Sequence, residues 1–419
     1  GDLAMSNERA IAIRDLDLPL DGAALQRVWR EIGWSDSART DRAMLELYSE
    51  GSAGVGTING EVECAVLIQP GTMRLDATDL PLCVVSAVTT SLIARGLSLA
   101  QKLTARQLAK GQQDGAAVAA FGMFDRGFYN KMGFGTGAYI NEFSFDPALL
   151  NIDIKPRTPV RLTAEHSEQM LATLMARPRL HGNVTLNLPK TFKSELDRGN
   201  RFGLGYCEED RLTHFVWMKE MGENGPYRVE SMGYETGDGL LELLALLKSL
   251  ADQIYAVWMI EPPHVQLQSM LNRPFRSQAI AEKSKFSAEQ ETYAWYQLRI
   301  LDLAQCVEAL DYVGPEICFQ LNLDDPMDQL LQWPELAEQR TCWQSLSGSW
   351  ILTLGQHAKV ERGEDADLPA LTCSINTLSR LFWGVARASS LVISDGLAAW
   401  AELLSALDGA FTANPDPGW

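Results

Sequence analysis

Two stretches of the chain bring chemically capable residues together at informative spacing. The first, Val84–Ser98, reads as a strand ending at Val88-Thr89-Thr90. A turn at Ser91-Leu92-Ile93-Ala94 follows, and Arg95-Gly96-Leu97-Ser98 leads into a helix. Glycine at a helix start lets the backbone approach a ligand closely, and the free N–H groups of the first turn, with the helix dipole, suit a pyrophosphate. Arg95 adds a charged donor. The second stretch is Phe128-Tyr129-Asn130-Lys131-Met132-Gly133-Phe134-Gly135, just beyond the next apolar run. Each also has a plain structural explanation: many strand-to-helix turns carry glycine, and Tyr129 sits among aromatic residues that pack.

Other chemistries find few residues to carry them. The five histidines, His166, His181, His214, His264 and His357, lie at least 15 residues apart. With no HExxH and no Cys/His cluster, no metal is expected. Neither GxxxxGK[ST] nor GxSxG occurs. His214 lies in an alternating strand and reads as structural. The seven cysteines (Cys64, Cys83, Cys207, Cys306, Cys318, Cys342, Cys373) are odd in number, scattered and without CxxC, which suits reduced, packed thiols.

The elements that must hold the two stretches follow from periodicity. A helix is expected at Ala23–Ile32. Strands follow at Gly54–Ile58, Glu61–Ile68 and Leu82–Thr89, the last rich in β-branched residues. A helix over Leu97–Lys110, stopped by Gly111, and an apolar run Ala116–Met123 complete a βαβ unit in a mixed sheet. Further on, strands are expected at Arg201–Cys207, Leu212–Glu220 and Tyr227–Gly233. A helix Leu240–Ala251 capped by Asp238 and a strand Tyr255–Ile260 then repeat the earlier order, a degenerate internal duplication. A third stretch opens at Tyr296–Leu301. Strands at Ile317–Leu323 and Ser349–Leu354 follow, then helical runs at Leu378–Ala386 and Leu397–Leu407. These readings divide the chain at 1–150, 151–294 and 295–419.

Composition bounds the function. At 419 residues, 46% hydrophobic and 21% charged, the chain is globular and long enough for two to four domains. A net charge of −18 disfavours nucleic acid and suits a cationic or amine small molecule. Residues 295–419 hold six basic and seventeen acidic residues, a net of −11. The plainer explanation is a solubilising surface; the sharper one is a negative rim facing a cation. The tryptophans Trp333, Trp343, Trp350, Trp383, Trp400 and Trp419 there read as core packing before a lipid pocket. Leu240–Leu250 carries Glu242 and Lys248 and is too short to cross a bilayer. With no charged-then-apolar leader, a cytoplasmic protein without membrane partners is expected.

Taken together, strand–RGxS–helix–strand–FYNKMGFG resembles the GNAT N-acetyltransferase superfamily, and the full layout is similar to its Eis (enhanced intracellular survival) branch. The specific matches are Val84–Ser98 and Phe124–Gly135, with support from Trp295–Leu303. The resemblance implies a mixed α/β, or α+β, architecture of two tandem GNAT-like domains followed by a sterol-carrier-protein-like α/β domain. It implies an N-acetyltransferase using acetyl-CoA as co-substrate, held by Val88, Thr89, Thr90, Ala94, Arg95, Gly96, Leu97, Ser98, Leu99, Phe124 and Asp125. Tyr129 is implied as the general acid and the Trp419 carboxylate as the base. A homo-oligomer, a hexamer, is implied as well. Two positions depart from the family's pyrophosphate signature: Ile93 replaces an Arg or Gln, and Ser98 the last small residue. A weakened site is therefore the alternative, in a non-catalytic scaffold or small-ligand binder. In the second domain, carboxylates in Glu235-Thr236-Gly237-Asp238-Gly239 would repel a pyrophosphate, so no cofactor is expected there.

Overall fold

The computed structural model describes residues 10–122 and 126–417. Strands β1 (Ile11–Asp15), β2 (Ser52–Ile58), β3 (Glu61–Leu75), β4 (Thr78–Thr90), β5 (Val118–Gly122) and β6 (Gly135–Thr136) come first. Next are β7 (Tyr139–Phe145), β8 (Val160–Leu162), β9 (Arg201–Glu208), β10 (Arg211–Glu220), β11 (Tyr227–Tyr234), β12 (Val257–Ile260) and β13 (Glu289–Ala294). The last group is β14 (Tyr296–Ile300), β15 (Ile317–Asp324), β16 (Gly348–Leu354), β17 (Lys359–Arg362), β18 (Ala370–Ser374) and β19 (Ala398–Ala399).

One compact unit comprises the described residues up to 138 together with 296–415. Its first sheet follows the order β1-β2-β3-β4-β5-β14-β6. Helices α1 (Leu18–Glu31) and α2 (Ala38–Ser49) pack with Leu25, Met44 and Tyr48 against Val55, Val62 and Leu67. Helix α3 (Leu99–Gln113) crosses from β4 to its parallel neighbour β5 and buries Leu99, Leu103 and Leu108 against Val66, Val85 and Ala119. A short helix α4 (Arg126–Asn130) follows β5.

The second unit contains residues 139–295 and 416–417. Its sheet is ordered β13-β7-β12-β11-β10-β9-β8. Helix α5 (Gly237–Ser249) joins β11 to the parallel β12 and fills the core with Leu240, Leu243, Leu244 and Leu247. The strand–helix–strand order of the first unit recurs here. Back in the first unit lies a five-stranded sheet β17-β16-β15-β18-β19; helix α6 (Ile375–Phe382) follows β18 and packs on it and on β14, and α7 (Ala401–Ala410) follows β19.

The architecture is mixed α/β, as read from the sequence. Several boundaries move. β7 joins the strands of the second unit, while β14 enters the first sheet between β5 and β6. The run Tyr296–Ile300 is buried at every position, as an interior strand must be. Gly111 does not stop α3, which runs through it to Gln113; the glycine is set there by close packing, since a Cβ at residue 111 would lie 2.7 Å from the Cys83 Sγ. The N-cap of α5 is Thr236, whose hydroxyl accepts from the Gly239 N–H at 3.1 Å, and Asp238 sits inside the first turn. The run 397–407 divides into β19 and α7 around Trp400.

Candidate active site

Among the described residues, β4 and β5 pair at four positions, Leu82↔Val118 through Val85↔Phe121, although β4 continues to Thr90. The strands part where Ala87 takes a φ of +46°, opposite a register shift in β3 between Ala65 and Leu67. Beyond this bulge, Val88 packs on the α3 core, the Thr89 side chain is buried, and Thr90 Oγ1 lies 3.4 Å from Cys64 Sγ. β4 ends on a bond from the Ser91 N–H to the Glu63 carbonyl, 2.8 Å.

A 3₁₀ turn, Leu92–Ala94, carries the chain outward. Ala94 is buried, whereas Arg95 and Gly96 are exposed. Gly96 has φ +80° and open space where a Cβ would stand. Ser98 adopts the left-handed conformation, φ +57°, and its side chain makes no capping hydrogen bond to α3. Without that cap, the first-turn N–H groups of a 15-residue helix face outward with the positive end of its dipole. The Ser91 hydroxyl, wholly buried, has no hydrogen-bond partner within the protein. One feature opposes an anion: the Leu92 N–H reaches the Glu31 carboxylate at 3.4 Å, and Arg27 ties Glu31 to Glu63.

Tyr129 lies on α4, 3% exposed. Its ring stacks on Phe121 at 4.0 Å between centroids and meets Phe128 and Phe134 edge-on. Phe121 is the last β5 residue paired with β4, so Tyr129 stands at the point where the strands separate. The Tyr129 carbonyl accepts from the N–H groups of Met132 and Phe134. Among the expected site residues, Val88, Ala94, Leu97, Leu99 and Tyr129 border one core with Thr90 beside its Cys64, Thr89 is buried on the other face near Tyr48, and Arg95, Gly96 and Ser98 are at the partly open edge. Phe124, Asp125 and Trp419 lie outside the described residues. The tail ahead of Trp419 is held: the Pro417 carbonyl accepts from the Val184 N–H and the Asn183 amide, each 3.2 Å, and the Asp416 N–H donates to His181.

Sequence reasoning missed Gln297. It lies opposite Phe121 on β14, wholly buried, and neither amide atom has a partner within the protein. The available signal was a Gln and an Arg inside the apolar run YQLRI. It also missed Glu31, which lies 61 residues from Leu92 in sequence.

Elsewhere the chemistry is quieter. Burial pushes the Cys64 thiol up to about 11 and those of Cys83 and Cys373 up to about 12, away from nucleophile territory. His214 bonds Thr213 and Glu242 and stacks on Tyr206. No group of His, Cys, Asp or Glu among the described residues could hold a metal ion. A cavity of about 430 Å³ lined by Gly51, Cys83, Gly111 and Asp114 sits at the C-terminal end of α3, far from Ser98. In the second unit, β11 and β12 part after Tyr227↔Val257 and Arg228↔Trp258. At the equivalent helix start, Glu235 pairs with Arg211, and Thr236 caps the helix. Among the described residues, no helix is long and apolar enough to cross a membrane.

No family model and no curated protein match the chain. Solved structures do. A probable N-acyltransferase of Enterococcus faecalis V583 superposes with a TM-score of 0.80 at 15% identity, covering 98% of this chain and all of that one. A GCN5-related N-acetyltransferase from Kribbella flavida gives 0.73 at 17% identity, covering 98% and 97%. Eis1 from Mycobacterium abscessus gives 0.75 at 15% identity, covering 98% and 100%. The likeness runs through both units, and the chain has the fold of GCN5-related N-acetyltransferases over nearly its whole length.

Proposed function

We propose that this chain is an acetyl-CoA-dependent N-acetyltransferase acting on a primary amine of polyamine, aminoglycoside or lysine-like type. The observation that carries this reading is the parted β4–β5 pair with an uncapped α3 start at its mouth and Tyr129 stacked at its apex. The residues suit the co-substrate: open space at Gly96, unengaged first-turn N–H groups, Arg95 as a charged donor, and a buried Ser91 hydroxyl without a partner. The family resemblance adds Phe124 and Asp125 to the proposed set. When bound, acetyl-CoA would supply the acetyl carbonyl and a thiol leaving group.

The chain's own groups then have defined tasks. An amine is protonated at neutral pH and must lose a proton before it attacks. The Trp419 carboxylate is proposed to accept that proton. A backbone N–H of Val88–Thr90 would polarise the carbonyl oxygen. Tyr129 would give its hydroxyl proton to the departing sulfur. No covalent enzyme intermediate is needed when both substrates are held side by side. The −18 net charge would concentrate a cationic acceptor. A cytoplasmic hexamer and a sterol-carrier-protein-like domain at residues 295–419 belong to the same proposal.

Glu31 on the Leu92 N–H favours a second reading, a small-ligand binder whose pyrophosphate turn has decayed. Thermal unfolding separates the two. A ligand at 100 times its dissociation constant adds about 2.7 kcal/mol, so millimolar acetyl-CoA should raise Tm; no shift favours the binder. For the chemistry, Tyr129→Phe and, separately, deletion of Trp419 should each slow transfer to a panel of amines by about 100-fold or more. Undiminished rates in both variants exclude the assigned roles.

A further inference from the structure

The residues that hold Tyr129 come from the far end of the chain. Four alternate carbonyls around and after α4 each accept a hydrogen bond from a side chain beyond residue 295. Asn376 Nδ2 donates to Asn130 O at 2.9 Å and to Phe134 O at 2.8 Å. Arg299 Nη1 donates to Met132 O at 2.8 Å, and Arg380 Nε to Thr136 O at 3.1 Å. These bonds recognise backbone shape and not sequence.

The two arginines are themselves fixed. Arg299 is wholly buried in an ion pair with Asp325, Nη2 to Oδ2 2.6 Å, and Arg380 pairs with Asp395. Asp325 also accepts from the Met327 N–H, so the buried charges are satisfied. Close packing explains the glycines of this loop. A Cβ on Gly133, which has φ +86°, would lie 2.5 Å from Arg299 Nη1, and one on Gly135 would lie 2.6 Å from the Asn376 carbonyl. The glycine-rich run is thus shaped to receive Arg299, Asn376 and Arg380.

A five-residue helix is too short to hold its own geometry in water. Proton transfer demands a donor placed to within about 0.5 Å. We infer that Asn376, supported by Arg299 and Arg380, is a positioning residue: it holds the Asn130–Thr136 carbonyls so that the Tyr129 hydroxyl is aimed at the leaving sulfur. This rests on the reading of Tyr129 as the general acid. The step it serves is balanced: the amine nitrogen bonds to the acetyl carbon, the C–S bond breaks, the amine proton passes to the base, and the phenol proton passes to sulfur.

Asn376→Ala is the test, because truncating Arg299 would strand Asp325 as a buried charge and unfold the site. Rates are measured with a polyamine acceptor and two acyl donors. Acetyl-CoA releases an alkyl thiolate that needs a proton; phenyl thioacetate releases an aryl thiolate that does not. Amide hydrogen exchange in residues 127–136 is followed in parallel. The expected result is a kcat with acetyl-CoA lowered about tenfold or more, with KM for acetyl-CoA and turnover of phenyl thioacetate unchanged, Tm lowered only slightly and exchange faster in this loop. An equal loss with both donors, no loss with acetyl-CoA, or unchanged exchange overturns the inference. Tyr129→Phe runs alongside. If it is slow with acetyl-CoA while Asn376→Ala is not, only the positioning role falls. If Tyr129→Phe is itself undiminished, the reading of Tyr129 falls and the inference falls with it.

Discussion

Gln297 and Glu242 show two opposite ways of placing a polar side chain. Gln297 is buried on β14 with both amide atoms lacking a protein partner. An orphaned buried group costs its full desolvation, about 1–3 kcal/mol, and replacing it with an apolar group of similar shape recovers part of that. Gln297→Met should therefore raise the Tm measured by calorimetry; a lower Tm would mean that the amide is satisfied in solution. Glu242 is fully engaged. The Arg157 guanidinium, with help from the Arg157 N–H and His214, holds its carboxyl down at about 2. The folded-state value lies below the unfolded one. Its contribution is therefore complete above the usual carboxylate range and lost as pH falls from there through about 2. Glu242→Gln should destabilise by about 1–2 kcal/mol at pH 7. The gap from wild type in pH-dependent thermal melts should close as pH approaches 2, and a gap independent of pH would refute the assignment.

At the scale of elements, helix α5 separates a cap from a charge. Thr236 accepts from the Gly239 N–H, whereas Asp238 only meets the helix dipole. Thr236→Ala should cost about 1 kcal/mol in urea unfolding, and Asp238→Ala a few tenths; the reverse order would restore Asp238 as the cap. The elements that could be read from sequence are those with strong local signals. The β-branched run of β4, the turn at Ser91–Ser98 and the apolar side of α3 were all visible. What stayed hidden depends on partners distant in the chain. Gly111 looks like a helix stop until Cys83 is seen against it. Helix α2 gives a weak local signal: Ser37 and Thr40 form a capping box, but a Thr at the third position replaces the usual Glu or Gln. The candidate site divides the same way. The Ser91–Ser98 turn and Tyr129 announce themselves by type and spacing. Arg299, Asn376, Arg380 and Glu31 act through pairings across tens to hundreds of residues, which local patterns do not encode.

For the whole molecule, the decisive contact is β14 in the first sheet. It pairs with β5 from Tyr296↔Gly122 to Ile300↔Val118 and with β6 at Gln297↔Thr136 and Leu298↔Gly135. A fragment ending at residue 150 would lack this interior strand. It would leave Phe134 and Met132 without Arg299 and Asn376, and keep β7 without its sheet. The two chain ends that enclose residues 139–295 are adjacent, since the Gly137 N–H donates to the Tyr296 carbonyl at 2.8 Å. Insertion of a segment at one such point is compatible with independent folding of the host. Two chains test this. Residues 1–150 alone should show no cooperative thermal transition and should bind a hydrophobic dye. Residues 1–138 joined to 296–419 through a short Gly/Ser linker should unfold cooperatively, because every strand of the path from β1 to β6 is present. A cooperative transition in the 1–150 fragment would show that β14 is dispensable. The acid on α4 would then not need the end of the chain to hold it.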